Sequence, residues 1–352
     1  HAQERITSLE GHGFKGKGKV KSVRSIRYNA KEKSGEIIKG KAYGDYIQFI
    51  AHNNYEAVFD VAGNQIEESK YNSDGSLLSK YTWKYDSKGN KIEEIGYKSD
   101  GSLIKKNTWL YDADGKLTEW SRYDSTGSLA VINRNKYDAA GKRIEMNSYN
   151  SDGNLTETDR SRFDAFGNQI EWNRFDAIGN PVEKQTYKYD PNGKKIEWIL
   201  YDSVGNQAEK HTCKYDANGN QIEWNKYVDD DSLVEKITHK YDTNGKRIEV
   251  IIYIYTSNVH SKWVFLYDTN GNLIEDNMYY SSGGSRKITY DSAGNMKEQL
   301  SYKSNGSLYS QTTYDCKLDA KGNWIEKIDY SGKPDRRKKA YNITERTITY
   351  YE

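Results

Sequence analysis

The chain has 352 residues, a formal net charge of +2 and a mean hydropathy of −1.00. A charge so close to neutral creates no overall field that would recruit nucleic acid or an anionic membrane, and we expect no nucleic-acid partner. Only 35% of the residues are hydrophobic, but 31 tyrosines and eight tryptophans supply amphipathic area that can be half buried. We therefore expect an ordered protein with a thin core. No stretch approaches the roughly 18 apolar residues of a membrane-spanning helix.

The first 58 residues precede any regular pattern. Residues 1–19, which begin HAQERITSLE, are predicted to be a flexible segment and resemble a mature N-terminus left after processing, so export is expected although no signal peptide is present. Residues 20–58 are predicted to form degenerate capping strands. Both segments are assigned to one continuous array with the repeats that follow.

Residues 59–275 carry a regular 26-residue repeat in which turn glycines alternate at intervals of 12 and 14 residues. Turns this frequent leave no room for helices, and Asp-x-x-Gly sequences such as Asp190–Gly193 are typical of a type I turn followed by a glycine bulge. The pattern predicts an all-β fold, a long antiparallel meander of hairpins with two strands in each repeat. The turn positions are Gly63, Gly75, Gly89, Gly101, Gly115, Gly127, Gly141, Gly153, Gly167, Gly179, Gly193, Gly205, Gly219, Asp231 in place of glycine, and Gly245.

The hairpin around Asp190–Gly193 predicts a register and two faces. Tyr189 is expected opposite Lys194 and Tyr187 opposite Ile196, and alternation then assigns the side chains to two faces. One face holds the tryptophans and isoleucines, and the other holds Lys195 together with the repeated lysines and glutamates. We expect the first face to be the buried or half-buried one.

About 24 strands are predicted from Val20 to the C-terminus, with residues 276–352 as degenerate C-terminal repeats and a cap. Open sheets rarely exceed roughly 10 strands without curling, so we predict that the array coils into an open spiral or superhelical sheet, like a β-solenoid. The chain is expected to be too short to close a large shell. A propeller is disfavoured because no 52-residue modulation is visible.

Sites for catalysis or metal binding are not recognisable. Asp216, Asn218 and Asn220 surround Gly219 as in a calcium loop, but the glycine and the twelfth residue stand at the wrong positions, which favours turn chemistry. The six histidines lack metal-ligand spacing, and the two cysteines, Cys213 and Cys316, are predicted to be free thiols. Because glutamates recur at every repeat, none has the distinctive environment of a general acid. We expect no enzyme activity, no cofactor and no metal.

The aromatic side chains are the best candidates for ligand binding. Rings arrayed along a curved β surface can stack on sugars or anchor a protein, although they can equally be the core of a protein with little leucine and valine. The candidate ligand-binding residues are Trp120, Trp172, Trp198, Trp224, Tyr189 and Tyr215.

The segments YDANGNQIEW, YDTNGKRIEV and YDSKGNKIEE resemble the YD repeats of bacterial Rhs and teneurin-like proteins, over approximately Phe59 to Asn323. The resemblance implies a spiralling β-sheet wall on a secreted or surface-attached protein, often a shell around a toxic C-terminal domain. No toxin or self-cleavage domain is recognisable here.

The function expected from these features is that of a non-enzymatic protein with a binding or scaffolding role. It is expected outside the cell or in the cell envelope, where its partner is an unknown protein or a glycan. The alternatives are glycan binding through the Trp/Tyr face and a shell or accessory component of a toxin or polysaccharide-processing system. A monomer is favoured, although free edge strands at the two ends of the array would allow dimers.

Overall fold

The computed structural model describes residues 18–42, 54–228, 231–292, 294–332 and 338–352. Residues 1–17 of the predicted flexible segment lie outside these ranges. The described residues form 25 strands and one 3-10 turn, Tyr255–Ser257. The strands are β1 (Val20–Lys33), β2 (Glu36–Ala42), β3 (Tyr55–Phe59), β4 (Gln65–Tyr71), β5 (Leu77–Tyr85), β6 (Lys91–Lys98), β7 (Leu103–Tyr111), β8 (Leu117–Tyr123), β9 (Leu129–Tyr137), β10 (Arg143–Asn150), β11 (Leu155–Phe163), β12 (Gln169–Asp176), β13 (Pro181–Tyr189), β14 (Lys195–Tyr201), β15 (Gln207–Tyr215), β16 (Gln221–Val228), β17 (Ser232–Tyr241), β18 (Arg247–Ile254), β19 (Val259–Tyr267), β20 (Leu273–Tyr280), β21 (Ser285–Tyr290), β22 (Met296–Tyr302), β23 (Leu308–Leu318), β24 (Trp324–Gly332) and β25 (Lys339–Tyr350).

The turn chemistry is as predicted. In the hairpin after β13, the Gly193 N–H donates to the Asp190 carbonyl at 3.0 Å and the Asp190 N–H donates to the Lys194 carbonyl at 2.9 Å. Every predicted turn glycine has a positive φ, and Asp231, which replaces glycine at one turn, has φ 62°. Positive φ is the conformation for which glycine is selected, so the period of the sequence reports the turns directly.

The predicted register is wrong by one residue at the turn and by two beyond it. Asp190 is the residue bonded to Lys194, so Tyr189 lies opposite Lys195. Tyr187 lies opposite Trp198, because Ile196 is an extra residue in β14. A β-bulge sets two residues against one on the partner strand and re-aims the side chains beside it. Lys195 consequently lies on the same face as Tyr187 and Trp198, and its assignment to the opposite face is also wrong.

The strands close into a barrel, which overturns the predicted open spiral, superhelical or solenoid-like sheet. β1 pairs with β25 from Val20 to Asn29 and pairs on its other side with β3, from Ser22 to Ser25. Twenty-four of the 25 strands therefore form a ring, since β2 pairs only with β1 among the described strands. The closing strand β1 comes from the degenerate N-terminal region, which has no repeat motif from which its pairing could be predicted. Closure pairs the two end strands of the array with each other and so removes the edges on which dimerisation was considered, while β2 keeps one edge unpaired among the described strands.

Alternation gives the ring two faces. The Trp face contains Tyr187, Trp198 and His211, which are neighbours in register across β13, β14 and β15. The Glu face contains the intervening residues, such as Lys188 and Glu197, which are paired across the same two strands. Polar and charged residues dominate the Glu face, as the sequence predicts.

The Trp face is the inner face of the ring. Trp198 and Trp224 stand two strands apart, about 9.6 Å along the sheet by strand spacing. Their ring centroids are only 6.5 Å apart, so the side chains converge as they do on a concave surface. His211 between them is 5% exposed, whereas the side chain of Lys188 on the Glu face is 69% exposed.

The ring is hollow. Twenty-four strands at about 4.8 Å give a perimeter of about 115 Å, equivalent to a backbone diameter of about 37 Å, which strand tilt widens further. Seven of the eight tryptophans on the inner face are only half buried, and Trp224 is 8% exposed. A second packed layer would have covered these rings. Among the described residues, no helix is long and apolar enough to span a membrane.

Candidate functional site

All eight tryptophans of the chain lie on the inner face. The four predicted positions are in the second strand of their hairpins, and the register adds four more that sequence reasoning missed. Trp109 lies directly opposite Trp120. Trp263 lies opposite Val250, which occupies the same column as Trp120. The sequence contained a signal for Trp83 and Trp109, because the residue two places before each hairpin-opening Tyr lies opposite the predicted Trp column. The tryptophans are Trp83, Trp109, Trp120, Trp172, Trp198, Trp224, Trp263 and Trp324.

The structure joins two of the four predicted tryptophans into one cluster. The Trp198 ring stacks on the His211 imidazole with centroids 4.0 Å apart and an interplanar angle of 5°, and His211 contacts the tilted Trp224 ring at 5.2 Å. Burial lowers the pKa of His211, although a hydrogen bond with Glu209 opposes that shift. A neutral imidazole between two indoles is therefore the resting state of this cluster at neutral pH.

The other two predicted tryptophans lie elsewhere on the inner wall. Trp172 carries the guanidinium of Arg174 over its ring at 4.9 Å, and Arg174 in turn contacts Asp159 and Glu157, each at 3.2 Å. Trp120 lies further round the ring, opposite Trp109. The six predicted residues are thus spread along one wall, which suits an extended ligand better than a compact one.

Tyr189 and Tyr215 form hydrogen bonds to backbone carbonyls of the barrel wall. The Tyr215 hydroxyl donates to the Lys195 carbonyl at 2.9 Å, and Tyr189 donates to the Gln169 carbonyl at 2.8 Å. Burial raises the pKa of Tyr215 to about 12, so its hydroxyl stays a donor. The same bond, to the carbonyl 20 residues earlier, recurs at Tyr85, Tyr111, Tyr137, Tyr241 and Tyr267. Their predicted role in ligand binding remains a prediction.

Lys195 is the residue that the bulge brings into the lumen. Its Nζ lies 4.3 Å from the Tyr187 ring centroid and 5.8 Å from that of Trp198. Burial lowers the pKa of this ammonium. Rings on two sides and a desolvated cation together make a site that can hold an anion beside an apolar surface.

The bulge position carries a 52-residue modulation, contrary to the expectation that none exists. The column of Lys195 holds a cation in every second repeat and a neutral residue in the repeats between. The cations are Lys91, Arg143, Lys195 and Arg247, and the neutral residues are Gln65, Leu117, Gln169, Gln221 and Leu273. We call the four cations the cation belt. The register places these residues in one column of the inner face, which makes the modulation apparent.

Cys213 and Cys316 are free thiols, as predicted. Cys213 lies on the inner face opposite Trp224, where Gln221 Nε2 donates to its Sγ at 3.4 Å. Burial raises the pKa of Cys213, so the group is a thiol and not a nucleophilic thiolate at neutral pH. His239 occupies the equivalent position one repeat later, and burial lowers its pKa to about 4.

Charges on the outer Glu face neutralise each other. Glu223 accepts from Lys214 at 2.8 Å and from Lys236 at 2.7 Å, and these bonds lower its pKa to about 2. Glu249 is held in the same way between Lys240 and Lys262. The recurrent glutamates Glu223 and Glu249 are therefore members of an ion-pair ladder.

The turn that resembles a calcium loop uses its own polar groups. The Asp216 carboxylate accepts from the backbone N–H groups of Asn218 at 3.0 Å and Asn220 at 2.8 Å, and from the Asn220 side chain at 3.0 Å. No cluster of His, Cys, Asp and Glu suited to a metal occurs among the described residues. The hydrogen bonds themselves account for the Asp and Asn content of this segment.

Comparison with known proteins gives limited results. A family model described only as an uncharacterised protein matches residues 79–209. No curated protein matches the chain. The YD motifs therefore remain a resemblance in sequence and do not establish a family.

Solved structures similar to this one include Tc toxin structures and a porin-like protein. The Photorhabdus luminescens Tc holotoxin pore matches with a TM-score of 0.27 and 12% identity, covering 81% of this chain and 23% of that chain. The TcdB2–TccC3 structure matches with a TM-score of 0.29 and 11% identity, covering 89% and 24%. A porin-like protein from Bacteroides uniformis matches with a TM-score of 0.23 and 11% identity, covering 95% and 98%. This chain spans about a quarter of the Tc chains, and at these TM-scores the similarity is distant.

Proposed function

We propose that this protein is a non-enzymatic binding barrel of the cell exterior or envelope, and that its lumen binds a glycan chain through the tryptophans of the inner wall. The observation that carries the proposal is the partial exposure of seven inward-facing tryptophans in a hollow ring. Partly exposed aromatic side chains that line an interior wall mark a binding surface.

Stacking chemistry supports a sugar ligand. The apolar face of a pyranose ring packs on an indole, and amide or carboxylate groups beside the indole can bind the hydroxyls. The inner wall offers such groups next to its rings. Gln185 lies opposite Trp172, and Asn133 lies opposite Trp120. No catalytic step is included in the proposal.

The proposal is tested by acrylamide quenching of tryptophan fluorescence, with and without a panel of soluble polysaccharides. We expect strong quenching of the free protein and suppression of quenching by a glycan that binds. Trp172→Ala and Trp198→Ala should each weaken binding about fivefold or more. Weak quenching that no polysaccharide alters would contradict the proposal, because it would mean that the rings are inaccessible.

A shell for a polypeptide guest, as part of a toxin system, is the second candidate. Ring closure favours it, because a closed wall separates an interior from the surroundings. The two candidates differ in the quenching experiment. A shell predicts accessible tryptophans that no polysaccharide protects.

A further inference from the structure

We propose that the cation belt, Lys91, Arg143, Lys195 and Arg247, recognises the carboxylates of an acidic, uronate-containing glycan in the lumen. The inference rests on the proposed function and specifies its ligand class. All four residues occupy the same bulge position of their hairpins, opposite Tyr85, Tyr137, Tyr189 and Tyr241. Successive members stand four strands apart, about 19 Å along the wall.

Cations of the belt lack carboxylate partners. Within the described ranges, none of the four lies within 4.0 Å of an acidic group, whereas the lysines of the Glu-face ladder do. Two acidic groups of the inner face pair with cations outside the belt. Glu94 pairs with Lys105 at 2.9 Å, and Glu209 pairs with Lys226 at 2.7 Å. Four cations that share one column and have no carboxylate partner are complementary to an anionic ligand.

Three of the four head groups are positioned by aromatic rings. Lys91 Nζ lies 5.9 Å from the Trp83 centroid and 5.7 Å from that of Trp109. The Arg247 guanidinium lies 5.9 Å from the Phe265 centroid, and Lys195 lies over Tyr187 as described. An anion bound at any of these three cations therefore lies beside an aromatic face.

The backbone of the belt is also held in place. Hydroxyls of Tyr111, Tyr215 and Tyr267 donate to the carbonyls of Lys91, Lys195 and Arg247. At Arg143 the corresponding aromatic residue is Phe163, which has no hydroxyl. The three hydrogen-bonded positions are preorganised, which lowers the entropic cost of ligand binding.

A uronate-containing chain fits both features of the wall. Its carboxylates match the cations, and the faces of its sugar rings match the neighbouring indoles. A neutral glycan would use only the rings, and an acidic peptide would use only the charges. The choice among these ligands is therefore measurable.

The test compares the binding of oligogalacturonate, a neutral galactan oligomer of equal length and poly-glutamate by titration calorimetry at two salt concentrations. We expect oligogalacturonate to bind most tightly. Lys195→Gln should weaken its binding about fivefold, and the Lys195→Gln/Arg247→Gln double variant about 25-fold, because sites this far apart contribute additively. Gln169→Lys, which adds a cation to the same column, should strengthen it. Lys188→Gln removes an outer-face lysine and serves as the matched control with no change expected.

The outcomes separate the inference from the proposed function. Equal binding of the two glycans, unaffected by the belt variants, would overturn the inference and leave the glycan proposal standing. Binding of neither glycan would overturn both. Poly-glutamate binding as tightly as oligogalacturonate, or an equal effect of Lys188→Gln, would also overturn the inference. Circular dichroism melting confirms that each variant is folded.

Discussion

Removal of the Tyr215 hydroxyl tests the structural role of the hairpin-opening tyrosines. Tyr215→Phe deletes the 2.9 Å hydrogen bond to the Lys195 carbonyl. Glu197 and Thr212 form the last register pair of β14 and β15 at this end, and the Lys195 carbonyl lies beyond that pair. One intramolecular hydrogen bond contributes about 1 kcal/mol net, and an unsatisfied carbonyl at a bulge costs at least as much. We expect the free energy of unfolding to fall by about 1–2 kcal/mol in urea titrations followed by far-UV circular dichroism.

Two further variants make the experiment decisive. Tyr201→Phe removes a hydroxyl on the outer face for which the described structure shows no hydrogen-bond partner, and it should change stability by less than about 0.5 kcal/mol. Phe163→Tyr introduces a hydroxyl at the repeat position of Tyr215, within reach of the Arg143 carbonyl, and should raise stability by about 1 kcal/mol. If Tyr215→Phe costs no more than Tyr201→Phe, the tyrosines do not stabilise the bulges and the reasoning is wrong.

Other predictions concern pH and backbone conformation. The pKa of His239 is about 4 in the fold and 6.5 ordinarily, so between these pH values the unfolded chain binds a proton that the folded protein does not. The free energy of unfolding should therefore fall by roughly 2 kcal/mol as the pH falls from 6.5 to 4. His239→Gln should reduce that loss in urea titrations. The pKa of Glu223 is about 2 in the fold and 4.5 ordinarily, so its contribution is present above pH 4.5 and is lost as the pH falls towards 2. Glu223→Gln should reduce this acid sensitivity and cost about 0.5–1 kcal/mol near neutrality. Gly205→Ala, at φ 91°, should lower the thermal midpoint, and Asp231→Gly, at φ 62°, should raise it; equal midpoints for both variants would contradict the turn assignment.

Local features of the fold were predictable from the sequence, and its closure was not. The glycine spacing identifies the turns, because positive φ selects glycine strongly. The register failed at Ile196, since a bulge leaves no mark on the alternation of side chains. Ring closure depends on β1, whose residues Ser22 to Ser25 pair with a strand outside the regular repeats. Such pairing follows from the three-dimensional curvature of 24 strands and not from any local pattern.

The candidate site was predicted in part. The Trp column was recognised from its period. Trp83 and Trp109 belong to the column that faces it within each hairpin, and Trp263 lies opposite Val250 on the next strand, which the register shows. Lys195 was assigned to the wrong face for the same reason as the register error. The cation belt was therefore not predicted, because its members are 52 residues apart and a repeat with a neutral residue lies between each two of them.

Closure through β1 has a consequence for biosynthesis. Val23 pairs with Ile348, so the seam cannot form until the ribosome has made the residues up to Ile348. Contacts of such long sequence separation are reached late and slowly, while hairpins of adjacent residues form early. The nascent protein should therefore pass through a stage in which most of the wall is built and a slot remains open along its length. A long polymer could be laid into that slot sideways, and completion of the seam would then retain it without any need to thread an end.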